Sequence, residues 1–199
     1  MNPEARASRT NDDDTRKVEN VLTALQLKEC HLLNLCLELS KQGRVFNLPE
    51  AKAPNGPYGI SFGLHWVPMG ISEDFLTWGQ TMFIKMRATS KKKPTRFSKV
   101  EVEVAARFTL PLGIDEETLD SVGDQIPKNC IMMIYGAIRS FVLSSTATMN
   151  GRPFVIPSID VSKIQGMDNY FQDVTEFIRA CERGEMKADP NDEGVDLDT

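Results

Sequence analysis

An alternation of period two runs along this chain as far as Pro111 and then stops, and that change of period decides the class of fold. Four stretches carry it. In "LQLKECHLLNLCLELS", Leu33, Leu35, Leu37 and Leu39 share one face, and Asn34, Cys36 and Glu38 the other. Leu25 and Leu27 keep the leucine parity, while Glu29 and His31 interrupt it. In "YGISFGLHWVP", Tyr58, Ile60, Phe62, Leu64 and Trp66 form one face, opposite two glycines. Met82, Ile84, Met86 and Ala88 then alternate with Phe83, Lys85 and Arg87. Val100, Val102, Val104 and Ala106 alternate with Glu101, Glu103, Ala105 and Arg107, up to Pro111. Successive side chains on a strand point to opposite faces, so each stretch predicts a half-buried strand.

Beyond Pro111 the spacing becomes helical. Asp115-Glu116-Glu117 opens a short helix with Leu119 and Val122 as its apolar contacts, and acids at a helix start suit its dipole. Pro127 reads as a break, with Asn129 as the N-cap of a long helix after it. There Ile131, Ile134, Tyr135, Ile138, Phe141 and Val142 recur at three- and four-residue spacings, and Met132, Met133, Ala137 and Leu143 add apolar surface elsewhere around the helix. A helix apolar on more than one face must bury more than one. One face can cover the sheet; the other calls for a second helix, which a partner subunit can supply. A further stripe, Tyr170, Phe171, Val174, Phe177, Ile178 and Cys181, predicts a last helix that stops at Gly184. Between the two helices lies "GRPFVIPSID", apolar enough to be buried, yet barred by Pro153 and Pro157 from a helix interior or a central strand. It reads as a stiff extended connector.

The strands and helices predict an α+β domain over residues 18–184. Residues 1–17 carry Asn11-Asp12-Asp13-Asp14 and residues 185–199 are acidic with few large apolar side chains, so both are expected to be disordered, an arm and a tail. Apolar residues make up 41% and charged residues 26%, the balance of a soluble globular domain. A net charge of −5 argues against a nucleic-acid partner. The basic loop "SKKKPTRFS" reads as a solvated turn. No apolar run looks long enough to span a bilayer and the polar start has no signal-peptide core, so a cytoplasmic protein without membrane insertion is expected. Cys30, Cys36, Cys130 and Cys181 form no C-x-x-C pair and are read as reduced thiols; with only His31 and His65 beside them, neither a metal site nor a cofactor is expected. No nucleophile elbow, phosphate loop or zinc-helix motif appears, and no catalytic residue is assigned: the chain reads as a non-enzyme.

Ile126-Pro127-Lys128-Asn129-Cys130, the helix with Tyr135-Gly136-Ala137-Ile138-Arg139, and then Gly151-Arg152-Pro153-Phe154-Val155-Ile156-Pro157-Ser158-Ile159-Asp160 together resemble the SecB export-chaperone family. The long Pro- and Gly-rich crossover between the first two strands fits the same layout, and the likeness spans roughly Leu22 to Arg183. It departs at Met133-Ile134, where that family has an aromatic-Pro pair, and in the acidic tail, which lacks the basic apolar ending used to reach the SecA motor. The second departure counts against SecA as a partner. The resemblance implies a four-stranded antiparallel sheet covered by a long helix and a C-terminal helix. It implies an ATP-independent holdase for unfolded polypeptides, in protein transport or dedicated to one client such as an antitoxin or a phage protein. It implies a homotetramer, a dimer of dimers packed through the long helix, with Ile131, Ile134, Tyr135, Ile138, Phe141 and Val142 at the interface. Clients would lie against Val45, Phe46, Leu48, Tyr58, Phe62, Trp66, Tyr170, Phe171 and Phe177. A non-enzymatic small-ligand binder on the same frame is the alternative from another class.

Overall fold

The structure, a computed structural model, describes residues 21–40, 58–72, 74–89, 95–149, 153–161, 164 and 168–186. The arm expected at 1–17 and nearly all of the tail expected at 185–199 lie outside the described residues. Four strands, β1 (Gln26–Leu39), β2 (Tyr58–Ile71), β3 (Phe75–Ala88) and β4 (Phe97–Pro111), form one antiparallel sheet in the order β1-β4-β3-β2. Three helices follow, α1 (Glu116–Val122), α2 (Gln125–Ala147) and α3 (Asp168–Glu182). The chain is α+β, as its change of period predicts.

The two central strands supply the floor of the core. Trp78, Met82, Ile84 and Met86 from β3 and Val100, Val102, Val104 and Phe108 from β4 are fully buried. Each such side chain stabilises the fold by roughly 1.5–3 kcal/mol. Residues opposite one another in a ladder share a face, so the other face can be read across the strands. His31, Ala105, Thr81 and His65 form one row, and Cys36, Glu101, Lys85 and Ser61 another. On this polar face Lys85 and Lys99 both hold the Glu101 carboxylate at 2.6 Å. Those two hydrogen bonds, Lys85's first, keep the Glu101 carboxyl below its ordinary range.

β1 departs from the simple leucine parity. Its pairing with β4 shifts register between Leu27 and Glu29 and again between Leu32 and Asn34. Lys28 and Leu33 are therefore extra residues, and each bulge moves the following side chains to the opposite face. Cys30 and Leu32 replace Glu29 and His31 on the core side, opposite Ala106 and Val104; Leu35 and Leu37 then regain it, opposite Val102 and Val100. The polar interruption at Glu29 and His31 is absorbed by two bulges, and Leu33 ends 56% exposed.

The helices close one side of the sheet. Asp115 caps α1, its carboxylate accepting the Thr118 N–H at 2.9 Å. α2 begins at Gln125, before Pro127 and not after it: the first turn of a helix has no intrahelical acceptor to lose, so proline is tolerated there. α2 lies on β1, β4 and β3, with α3 beside it. By length and composition α2 is long and apolar enough to cross a bilayer, which corrects the reading from the sequence. Core helices pass the same test, and here Ile126, Cys130, Ile131, Ile134, Ile138 and Val142 are buried within the chain.

Polar contacts fasten the second half of α3. Glu182 accepts the N–H groups of Gly113 at 3.0 Å and Ile114 at 3.2 Å, and Arg179 reaches Asp120 at 2.8 Å. The Thr175 hydroxyl donates to the Gly123 carbonyl at 3.0 Å, and a Cβ on Gly123 would sit 2.7 Å from the Thr175 methyl. Gly184 ends the helix at φ +67, with the Glu185 N–H returning to the Ala180 carbonyl at 2.9 Å.

The proline-bearing connector is pinned from both sides. Phe154 and Ile156 are buried, and the Phe154 ring meets Phe97 and Tyr58 edge-on, with centroids 5.2 and 5.7 Å away. The Phe154 N–H donates to the buried Thr146 hydroxyl at 2.9 Å, which itself donates to the Val142 carbonyl at 2.7 Å. The Tyr135 hydroxyl donates to the Pro157 carbonyl. Prolines limit the backbone to extended angles while alternate side chains enter the core, which is why an apolar segment here is neither helix nor strand.

Candidate functional site

β2 is an edge strand, and among the described residues it has one neighbouring strand, β3. Its pairing runs without a shift from Tyr58 to Pro68, and no residue of β2 is Asp, Glu, Lys or Arg. Every second residue of its inner face is aromatic from Tyr58 to Trp66, and each meets an aromatic ring from a different element. Tyr58 meets Phe154 of the connector, Phe62 meets Tyr135 of α2 with centroids 6.3 Å apart, and Trp66 meets Phe177 of α3 at 5.2 Å. Ile60 and Leu64 stand between them. Ile60, Phe62, Leu64 and Trp66 are only half-buried, whereas the facing Met82, Ile84 and Met86 of β3 are fully enclosed. The result is a row of apolar side chains, about 7 Å apart along the strand, beside a backbone edge that pairs with no further strand among the described residues.

The start of α3 borders the row. Tyr170 donates to Gln80 Oε1 at 2.6 Å, and burial pushes its phenol well above the ordinary tyrosine value. Phe171 lies edge-on to Tyr170 with centroids 5.7 Å apart, under the Lys128 ammonium at 5.5 Å. Burial also raises the Tyr135 phenol to about 12, against the pull of Arg139. Both hydroxyls are thus neutral donors in fixed hydrogen bonds.

The residues expected to touch a client separate into three groups. Phe62, Trp66, Tyr170 and Phe171 are half-buried and come together along β2 and α3. Tyr58 and Phe177, at 8% and 6% exposure, are enclosed by the chain itself and are not offered to a partner, which corrects the expectation for both. The Tyr58 hydroxyl donates to the Phe97 carbonyl at 3.1 Å, a core contact. Val45, Phe46 and Leu48 lie outside the described residues. Ile60 and Leu64 join the row although they were not singled out; their signal was the same alternation that marked Phe62.

The expected interface on α2 is also corrected. Ile131, Ile134, Tyr135, Ile138 and Val142 are at most 2% exposed, packed into their own core, and Phe141 is half-buried. The most regular apolar stripe of a helix goes to the nearest apolar surface, here its own sheet and connector. The side turned outward carries Met132, Gly136, Ser140 and Leu143, with Met132 49% and Leu143 41% exposed. The reading that α2 is apolar beyond its core face stands, with different residues.

The polar face of the sheet holds both histidines. A shallow depression of about 140 Å³ there is lined by His31, His65, Val67, Met69, Gly79 and Arg107, among others. Glu29 lies 3.2 Å from Arg107 and 3.5 Å from His31. Burial raises the Cys181 thiol to about 11 and the Cys130 thiol further, so neither is a ready nucleophile. Among the described residues no group of three or more His, Cys, Asp or Glu side chains is placed to hold a metal ion.

No protein-family model matches the chain and no curated protein matches it. Among solved structures, it is similar to the SecB-like chaperone of Mycobacterium tuberculosis in complex with a ChAD peptide from the HigA1 antitoxin. The identity is 17%, the TM-score 0.42, and the match covers 74% of this chain and 96% of that one. A likeness of that size carries no argument about what this chain does.

Proposed function

We propose that this protein is an ATP-independent chaperone that holds extended segments of non-native polypeptides along β2. One observation carries the reading: an uncharged edge strand, in register over its first eleven residues, presents a half-buried row of apolar side chains. An extended chain can add to such an edge through backbone hydrogen bonds while its alternate side chains meet Ile60, Phe62, Leu64 and Trp66. Each Å² of apolar surface removed from water contributes roughly 25 cal/mol, less the cost of ordering the client. Holding the unfolded state then opposes aggregation by mass action. The sequence resemblance to SecB supports the same reading.

The outward side of α2, with Met132 and Leu143, and the exposed Leu32 and Leu33 of β1 are surfaces for further copies of the chain. They support a homo-oligomer, with the tetramer of the resemblance as the specific proposal, in the cytoplasm.

The experiment is suppression of aggregation of several unrelated denatured proteins, without nucleotide, at a subunit ratio near one. Protection that disappears in Phe62→Ala/Leu64→Ala is the expected result. Unchanged aggregation across all clients removes the proposal.

A further inference from the structure

Charge is not spread evenly over this molecule. Although the chain is acidic as a whole, every charged residue in β2, β3 and α2 is a cation: Lys85, Arg87, Lys128 and Arg139. The cations of β4 and α3 are matched. Lys99 pairs with Glu101, Arg107 with Glu29, and Arg179 with Asp120 and Glu176. Lys85 also has its acid, Glu101. Arg87, Lys128 and Arg139 have no ion pair among the described residues, and each is linked to β2 or to a ring near it. Arg87 stands opposite Gly59 in the ladder, on the outer face, beside a position with no side chain of its own. Lys128 lies over Phe171. Arg139 bears on Tyr135, whose ring meets Phe62.

Resting on the reading of β2 as the client edge, we propose that this edge selects extended segments in which apolar residues alternate with acidic ones. The apolar side chains of such a segment face Ile60, Phe62, Leu64 and Trp66. Its carboxylates on the other side fall near Arg87, and those at its margins meet Lys128 and Arg139. A segment alternating apolar and basic residues brings cation to cation at the same places. Three exposed pairs at a few tenths of a kcal/mol each amount to about a tenfold preference at low salt, which screening removes.

The test uses three short peptides with one apolar alternation and acidic, neutral or basic residues between, titrated calorimetrically into the full chain at low and at roughly 0.5 M salt. The acidic peptide is expected to bind about tenfold tighter than the basic one at low salt, with the gap closed at high salt. Arg87→Glu with Arg139→Glu reverses the order of the acidic and basic peptides; Arg87→Glu alone, on the exposed face, gives a smaller change in the same direction. A basic peptide that binds as tightly as the acidic one overturns the charge preference and leaves β2 as the client edge. Failure of all three peptides to bind overturns the β2 reading itself.

Discussion

The sheet has two edges of equal length, 14 residues each, and they are built in opposite ways. β1 is broken by bulges at Lys28 and Leu33 and by a third register shift near its end, and its outer face is tied by Glu29 to Arg107. β2 stays in register from Tyr58 to Pro68, has no Asp, Glu, Lys or Arg, and is held from one side by three rings of different origin. Bulges and charges are the usual means of keeping an edge from pairing with foreign strands. β1 has them; β2 has only Pro68 and the register shift beyond it, at one end. An edge left regular over most of its length is available to a partner strand, and the difference between the two edges tells where a client is expected.

The largest effect comes from removing what closes one end of β2. Phe154→Ala takes away the ring that packs on Tyr58 and Phe97 and leaves a cavity under the connector. A loss of about 3–5 kcal/mol in denaturant unfolding is expected. A loss below about 1 kcal/mol would mean that the connector does not brace the strand.

A smaller effect separates the edges. Phe62→Ala/Leu64→Ala is expected to weaken client binding about tenfold or more and leave subunit assembly intact. Leu32→Ser/Leu33→Ser on β1 is expected to do the reverse, loosening self-association while clients still bind. Titration calorimetry and sedimentation measure the two outcomes side by side. If the β1 pair abolishes client binding, the edges have been assigned the wrong way round.

The smallest effect is on the polar face. The Glu101 carboxyl is lowered in the folded state by Lys85 and Lys99. Its contribution is therefore complete at neutral pH and is lost as pH falls from the ordinary carboxylate value through the lowered one. Glu101→Gln should flatten the acid side of the stability profile and leave it unchanged in shape near neutrality. An unaltered acid limb would show that the two lysines do not hold this group in solution.

Much of this fold was legible before the structure, for a physical reason: β2, β3 and β4 alternate without a break, and alternation needs only local information. The stop at Gly184 and the acidic helix start at Asp115-Glu116-Glu117 were legible likewise. β1 was not, because a bulge is visible only when a partner strand is laid beside it. Glu29 and His31 were the trace it left in the sequence. α2 starts before Pro127 because a proline in the first turn of a helix does not break it, and nothing local in the sequence tells such a proline from a breaker. The client row was legible in part: parity identified Phe62 and Trp66, but which members of a row stay half-buried depends on how far the helices extend over the sheet. Tyr58 and Phe177 belong to the same rows and are covered.

Gly123 and Thr175 meet so closely that the two positions form a lock with a single key. Any relative that places a side chain at the first must shorten the second, or widen the gap between α3 and the turn from α1 to α2. The two columns are expected to vary in concert across homologous chains, and Thr175→Ser should rescue a lone Gly123→Ala exchange only in part, because the new Cβ also lies 2.8 Å from the Leu119 carbonyl oxygen.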